Sequence, residues 1–156
     1  MVSDSILAAY KDAPLISGRA LPSYQALRKT ITIDYLKILQ TGLKVFYVNF
    51  EPYSDHLEMF KDIRERTILK ISQLHCEHPL FTLEENARFR AIHDYCHYAA
   101  QTGFRLHGEY NTYLYHAARI PQEAHTALYS EVVIQAAYFY RYGAFPTQKV
   151  WTLDCY

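Results

Sequence analysis

Three helix-periodic segments in the second half of the chain, each bounded by clear start or stop signals, constrain its fold most. Thr82-Leu83-Glu84-Glu85 is a capping box, in which the Thr82 hydroxyl and the Glu85 carboxylate each satisfy an amide that the first helical turn leaves free. The helix it opens is predicted to run to about Thr102 and to stop at Gly103. A second helix is expected over residues 106–119, ending before Pro121. A third is expected over 122–142, closed by Gly143 and followed by Pro146. Helices with connections this short pack antiparallel, which predicts a C-terminal antiparallel helical bundle.

The first half is mixed. Residues 1–22 read as short and irregular. Ser23 is expected to cap a helix through about Gln40, with Leu27, Ile31, Tyr35 and Ile38 near one face, and Gly42 ends it. Residues 43–50 are rich in aromatic and β-branched side chains and read as a strand; 55–66 read as a short helix and 67–72 as a second strand. A parallel pair joined by a crossover and an antiparallel pair both fit this spacing. The expected class is α+β, predominantly α, with a small two-stranded sheet in the N-terminal half and one domain over residues 1–156.

Composition narrows the function classes. Sixteen basic residues balance sixteen acidic ones, so no charge excess indicates a nucleic-acid partner. No apolar run approaches the ~18 residues needed to span a bilayer, and the first residues lack the pattern of a secretory leader. A cytoplasmic location without a membrane partner is therefore expected. Three cysteines without a CxxC pair argue against a disulfide framework. Fifteen tyrosines stand out. They suit an aromatic interior with hydrogen-bonded hydroxyls, or an interaction surface through which copies of the chain associate.

The chemistry gathers on the same three helices. His93 and His97 share a helix face at i, i+4, the spacing with which two imidazoles grip one ion, and Asp94 sits beside the first. Glu109 and His116 lie two turns apart on one face of the next helix, with Tyr113 between them. Glu131 stands in the third among Val132, Val133 and Ile134, with Gln135 one turn on. A carboxylate in so apolar a run is exposed, paired or bound to metal. The expected metal ligands are His93, His97 and one or both of Glu109 and Glu131, with His116 close behind. Asp94 and Glu131 are the candidates for moving protons, and Tyr113, Gln135 and Arg90 for supporting the ligands or facing a substrate. Imidazole with carboxylate suits Zn, Mn or Fe. The competing reading is a purely structural polar core, in which Asp94 and Glu131 pair with Arg88, Arg90, Arg105, Arg119 or Arg141. His56, His75, His78 and His125 read as surface or loop residues.

Two resemblances bear on this. Ile92-His93-Asp94 resembles the His-Asp step of the HD phosphohydrolases, an all-helical superfamily that binds divalent metal near a phosphate. There His56 would stand for the family's first His, whereas Glu131 departs from its final Asp and the strands depart from its fold. Residues 78–135 resemble a group of uncharacterised proteins common in phage genomes. The matching segments are Phe89-Arg90-Ala91-Ile92-His93-Asp94, Gly108-Glu109, His116, and Glu131 with Gln135. That likeness imports no activity; it implies that these residues form one site. The functional expectation is a metal-dependent hydrolase acting on a phosphorylated or nucleotide-like small molecule. The alternative is a non-enzymatic binding or adaptor protein, of phage origin, with a structural His/Glu core.

Overall fold

The computed structural model describes residues 2–156. In chain order the elements are α1 (Asp4–Asp12), α2 (Leu21–Gln40), β1 (Lys44–Val48), α3 (His56–Lys61), β2 (Ile68–Ser72), α4 (Leu83–Ala100), α5 (Leu106–Ala117), α6 (His125–Tyr129) and α7 (Gln135–Tyr142). A π-helical turn at Asp62–Arg66 continues α3, and another at Ser130–Ile134 joins α6 to α7 into one rod. The architecture is α+β and predominantly α. No helix among the described residues is long and apolar enough to cross a membrane.

The capping box forms as the sequence predicts: Glu85 N donates to Thr82 Oγ1 at 3.1 Å and Thr82 N donates to Glu85 Oε1 at 3.0 Å. Two amides with no partner inside the helix are thereby satisfied, and α4 starts one residue later. It ends with Gln101 in the left-handed conformation (φ 55°), two residues before the glycine expected to stop it. Gly143 takes the left-handed position after α7 (φ 77°), as expected. The strands pair in parallel, Lys44 opposite Ile68 through Val48 opposite Ser72, with α3 in the crossover. Leu69 and Ile71 of β2 are buried.

Packing overturns two local expectations. Ser23 is not an N-cap: α2 begins at Leu21 with Pro22 in its first turn. Instead, Ser23 Oγ accepts from Ala127 N at 3.0 Å and from Thr126 Oγ1 at 2.8 Å, pinning α2 to the start of α6. Residues 4–12, expected to be irregular, form α1, because Ser3 caps it and Leu7 and Tyr10 bury against Ile134, Ala137 and Trp151. A nine-residue helix is marginal alone and forms here through that tertiary burial. The ammonium of Lys149 closes its C-terminal end by bonding the Lys11 and Ala13 carbonyls.

The main core draws on α2, β2, α4, α6 and Val150, so both halves of the sequence share it. α4 packs against α2 as well as α5, which makes α2 part of the bundle. The tyrosines divide between the interior and the surface. Tyr10 and Tyr24 are buried, with hydroxyls donating to the Thr147 and Lys149 carbonyls, whereas Tyr110, Tyr140, Tyr142 and Tyr156 are exposed.

Candidate metal centre and its cleft

α4 and α5 build the centre between them. His93 and His97 stand one turn apart on α4, and Glu109 sits in the first turn of α5. Gly108 allows this closeness: a Cβ there would lie 2.0 Å from the carbonyl oxygen of Gly103, so any larger residue would push α5 and Glu109 away from α4. Glu109 Oε2 lies 3.0 Å from His93 Nε2, and Oε1 lies 3.1 Å from His97 Nε2. One ligand atom from each of the three residues falls within 4.8 Å of the others, so this group could hold a metal ion.

The tautomers follow from the outer partners. His97 Nδ1 lies 3.3 Å from the Thr102 carbonyl oxygen, which can only accept, so Nδ1 carries the proton and Nε2 presents its lone pair. The Thr102 and Thr112 hydroxyls lie 3.2 and 3.0 Å from the same Nδ1. Nε2 is buried and makes no hydrogen bond among the described residues, despite the nearby carboxylate oxygen. An orphaned imidazole lone pair beside a carboxylate is what an N/O metal ligand set requires.

His93 Nδ1 lies 3.4 Å from Nδ1 of His116. Burial, with His93 and Arg119 adding, pushes His116 down to about 3, so it is a neutral ring whose Nδ1 can accept a hydrogen bond from the Nδ1–H of His93. His116 thus stands behind His93 and outside the ligand group. Burial alone would raise Glu109, but the two histidines outweigh it and hold the carboxyl at about 2. Burial also lowers His93, with Glu109 opposing. In His97 the burial effect is overcome by Glu109, Asp94 and the Thr102 carbonyl, and its pKa is raised.

The centre opens on a cleft of about 870 Å³ whose wall includes His93, Asp94 and Glu109. Asp94 is half-buried and its carboxyl makes no hydrogen bond among the described residues. Burial raises it to about 7; His97 and Arg90 oppose this, and Glu109 and Glu51 add to it. A carboxyl near neutrality on a cleft wall can take or give a proton.

The structure places the remaining residues differently from the expectation. Glu131 is not among the metal-holding group. Its Oε1 pairs with His78 Nε2 at 2.9 Å, and its Oε2 accepts from Gln135 Nε2 at 3.0 Å. His78 is therefore no surface residue; its side chain is fully buried. The amides of Leu80 and Phe81 donate to its Nδ1, which leaves the proton on Nε2 for Glu131. Neither acid uses an arginine as an ion-pair partner among the described residues. Arg90 lines the cleft but spends its guanidinium on the Ser72, Leu74 and His75 carbonyls, tying the loop after β2 to α4. Tyr113 packs edge-on against Tyr129 at 5.2 Å and is not part of the cleft wall. His56 packs on Phe104, whose ring also meets His97 edge-on.

Compared with known proteins, the chain matches no protein-family model, no curated protein and no solved structure.

Proposed function

We propose that this protein is a metal-dependent hydrolase acting on a phosphorylated or nucleotide-like small molecule. The observation that carries the reading is the buried, unpartnered Nε2 of His97, held by its Nδ1 partners beside Glu109 and His93 at the edge of a cleft. Two imidazoles and one carboxylate suit zinc, manganese or iron, and the hydrolytic metals among them need no redox partner. Bound there, a divalent ion would supply Lewis acidity toward a phosphate or water oxygen. The chain's own residues do the rest. His116 and the Thr102 carbonyl fix the two ligand rings, and Asp94 moves a proton in the cleft.

One observation favours the second reading, a structural polar core in a binding protein: Glu109 already hydrogen-bonds His93 Nε2 at 3.0 Å and lies within ion-pair distance of His97 Nε2 at 3.1 Å. Elemental analysis of untagged protein, combined with a panel of phosphomonoesters and nucleotides, separates the two. The hydrolase reading expects about one ion per chain, lost in His97→Ala, and turnover that Asp94→Asn abolishes while the ion is retained. Protein that folds without metal, shows no thermal shift with divalent ions and turns over nothing is the binding protein instead.

A further inference from the structure

The cleft has a second polar group that the metal centre does not use. Glu131, Gln135 and Phe139 follow one another at four-residue intervals and all line it. At its inner end the Glu131 side chain is 3% exposed, and no Lys or Arg nitrogen among the described residues lies within salt-bridge distance. Its partners are the His78 ring and the Gln135 amide. A carboxylate offers about four acceptor sites, and these two contacts leave it capacity for further donors. Gln135 Nε2 also donates to Gln148 Oε1 at 2.7 Å, which orients that amide with its own NH₂ unused among the described residues. At the outer end Phe139 stacks on Phe145, with ring centroids 4.6 Å apart, and Phe145 is 68% exposed. An exposed aromatic pair on the same cleft as a buried carboxylate and an oriented amide suits a planar ligand that stacks on one and presents N–H donors to the other.

We infer that Glu131, Gln148 and the Phe139–Phe145 pair form a site for a guanine-type base. In it Glu131 accepts from the ring N–H and the adjacent exocyclic amine, and Gln148 donates to the neighbouring carbonyl oxygen. An adenine edge fits poorly, because it would set a ring acceptor against the carboxylate. The site shares its cleft with His93, Asp94 and Glu109. A ladder of rings links the two ends, His78 to Phe81 to Phe89 to His93, with centroid steps of 4.2, 6.4 and 6.3 Å. The inference deepens the hydrolase reading and rests on it for one point only, that the phosphate lies at the metal end.

The test uses nucleosides, which lack a phosphate, on metal-stripped full-length protein, so it does not depend on turnover. Calorimetry should show guanosine binding at least about tenfold tighter than adenosine or cytidine, the ratio set by one unsatisfied buried donor or acceptor. Glu131→Gln should remove that preference. Should this variant fold poorly, Phe145→Ala at the exposed rim should weaken guanosine binding several-fold with the thermal midpoint unchanged. Equal binding of all nucleosides, or none, by the folded wild-type protein overturns the inference. Selective guanosine binding without hydrolysis of any phosphate ester upholds it while removing the hydrolase reading.

Discussion

At the scale of single residues, the centre depends on groups that would not touch an ion held there. Thr112 is buried on α5, and its hydroxyl meets His97 Nδ1 while donating to the Gly108 carbonyl at 2.8 Å. Thr112→Val keeps the shape and removes the hydroxyl. Partners that orient metal-bound histidines typically contribute 10–100-fold to affinity. We expect zinc affinity, measured by chelator competition, to fall about tenfold, with a loss of ~1 kcal/mol in denaturant unfolding. Unchanged affinity would show that Thr102 alone holds the ring. The same scale explains what the sequence left hidden. His93, His97 and Glu109 were legible because i, i+4 spacing and a carboxylate in the first turn of the next helix are local patterns. His78 was not, because its partner lies 53 residues away and its buried state comes from amides two and three residues on.

At the scale of elements, α4 is the best specified, and its start carries a pH signature. Hydrogen bonds from Arg28, then those within the capping box, outweigh burial and hold Glu85 below its ordinary 4.5. The folded state therefore favours the ionised form. The contribution is fully present above the unfolded value of 4.5 and is lost as pH falls through the lowered folded value. Glu85→Gln should destabilise the protein at pH 7 and converge with wild type at acid pH, below the lowered folded value, followed by urea midpoints. A constant difference across that range would contradict the assignment. Thr82→Ala removes a neutral cap and should cost ~1 kcal/mol at both pH values. Capped, strongly periodic segments such as α4 were readable in advance. α1 and the start of α2 were not, since Trp151 and Ala127, more than a hundred residues away, decide them. The π turn at Ser130–Ile134 was equally hidden: its residues are all buried, and periodicity cannot separate a π turn from an α-helix in a wholly buried run.

At the scale of the whole molecule, metal binding and stability should be one measurement. An ion that binds only the folded chain adds ~2.7 kcal/mol at a hundredfold excess over Kd. In a domain of this size each kcal/mol moves Tm by ~2–4 °C. Saturating zinc should therefore raise Tm by ~5–10 °C, chelation should reverse it, and His97→Ala should abolish it. The absence of a shift in wild type would place the His–Glu cluster among structural cores. The α+β class, the strand–helix–strand order and the three C-terminal helices followed from local signals, while the sheet's parallel direction and the inclusion of α2 in the bundle came only from packing.

The contacts of residues 147–151 carry a consequence for synthesis. Tyr10 donates to the Thr147 carbonyl, Tyr24 to the Lys149 carbonyl, and Ile16 bridges Val150, all across more than 120 residues of chain. Such remote pairings form late and fold slowly. On the ribosome, α4 and α5 can bring the histidines and Glu109 together before residues 145–156 emerge. α1, Gln148 and the Phe139–Phe145 pair cannot be completed until they do. Nascent chains stalled before Phe145 should keep α1 open to protease while α4 and α5 are protected. The two ends of the cleft would thus mature in sequence, the metal end first, which would let an ion be acquired before the other end has taken shape.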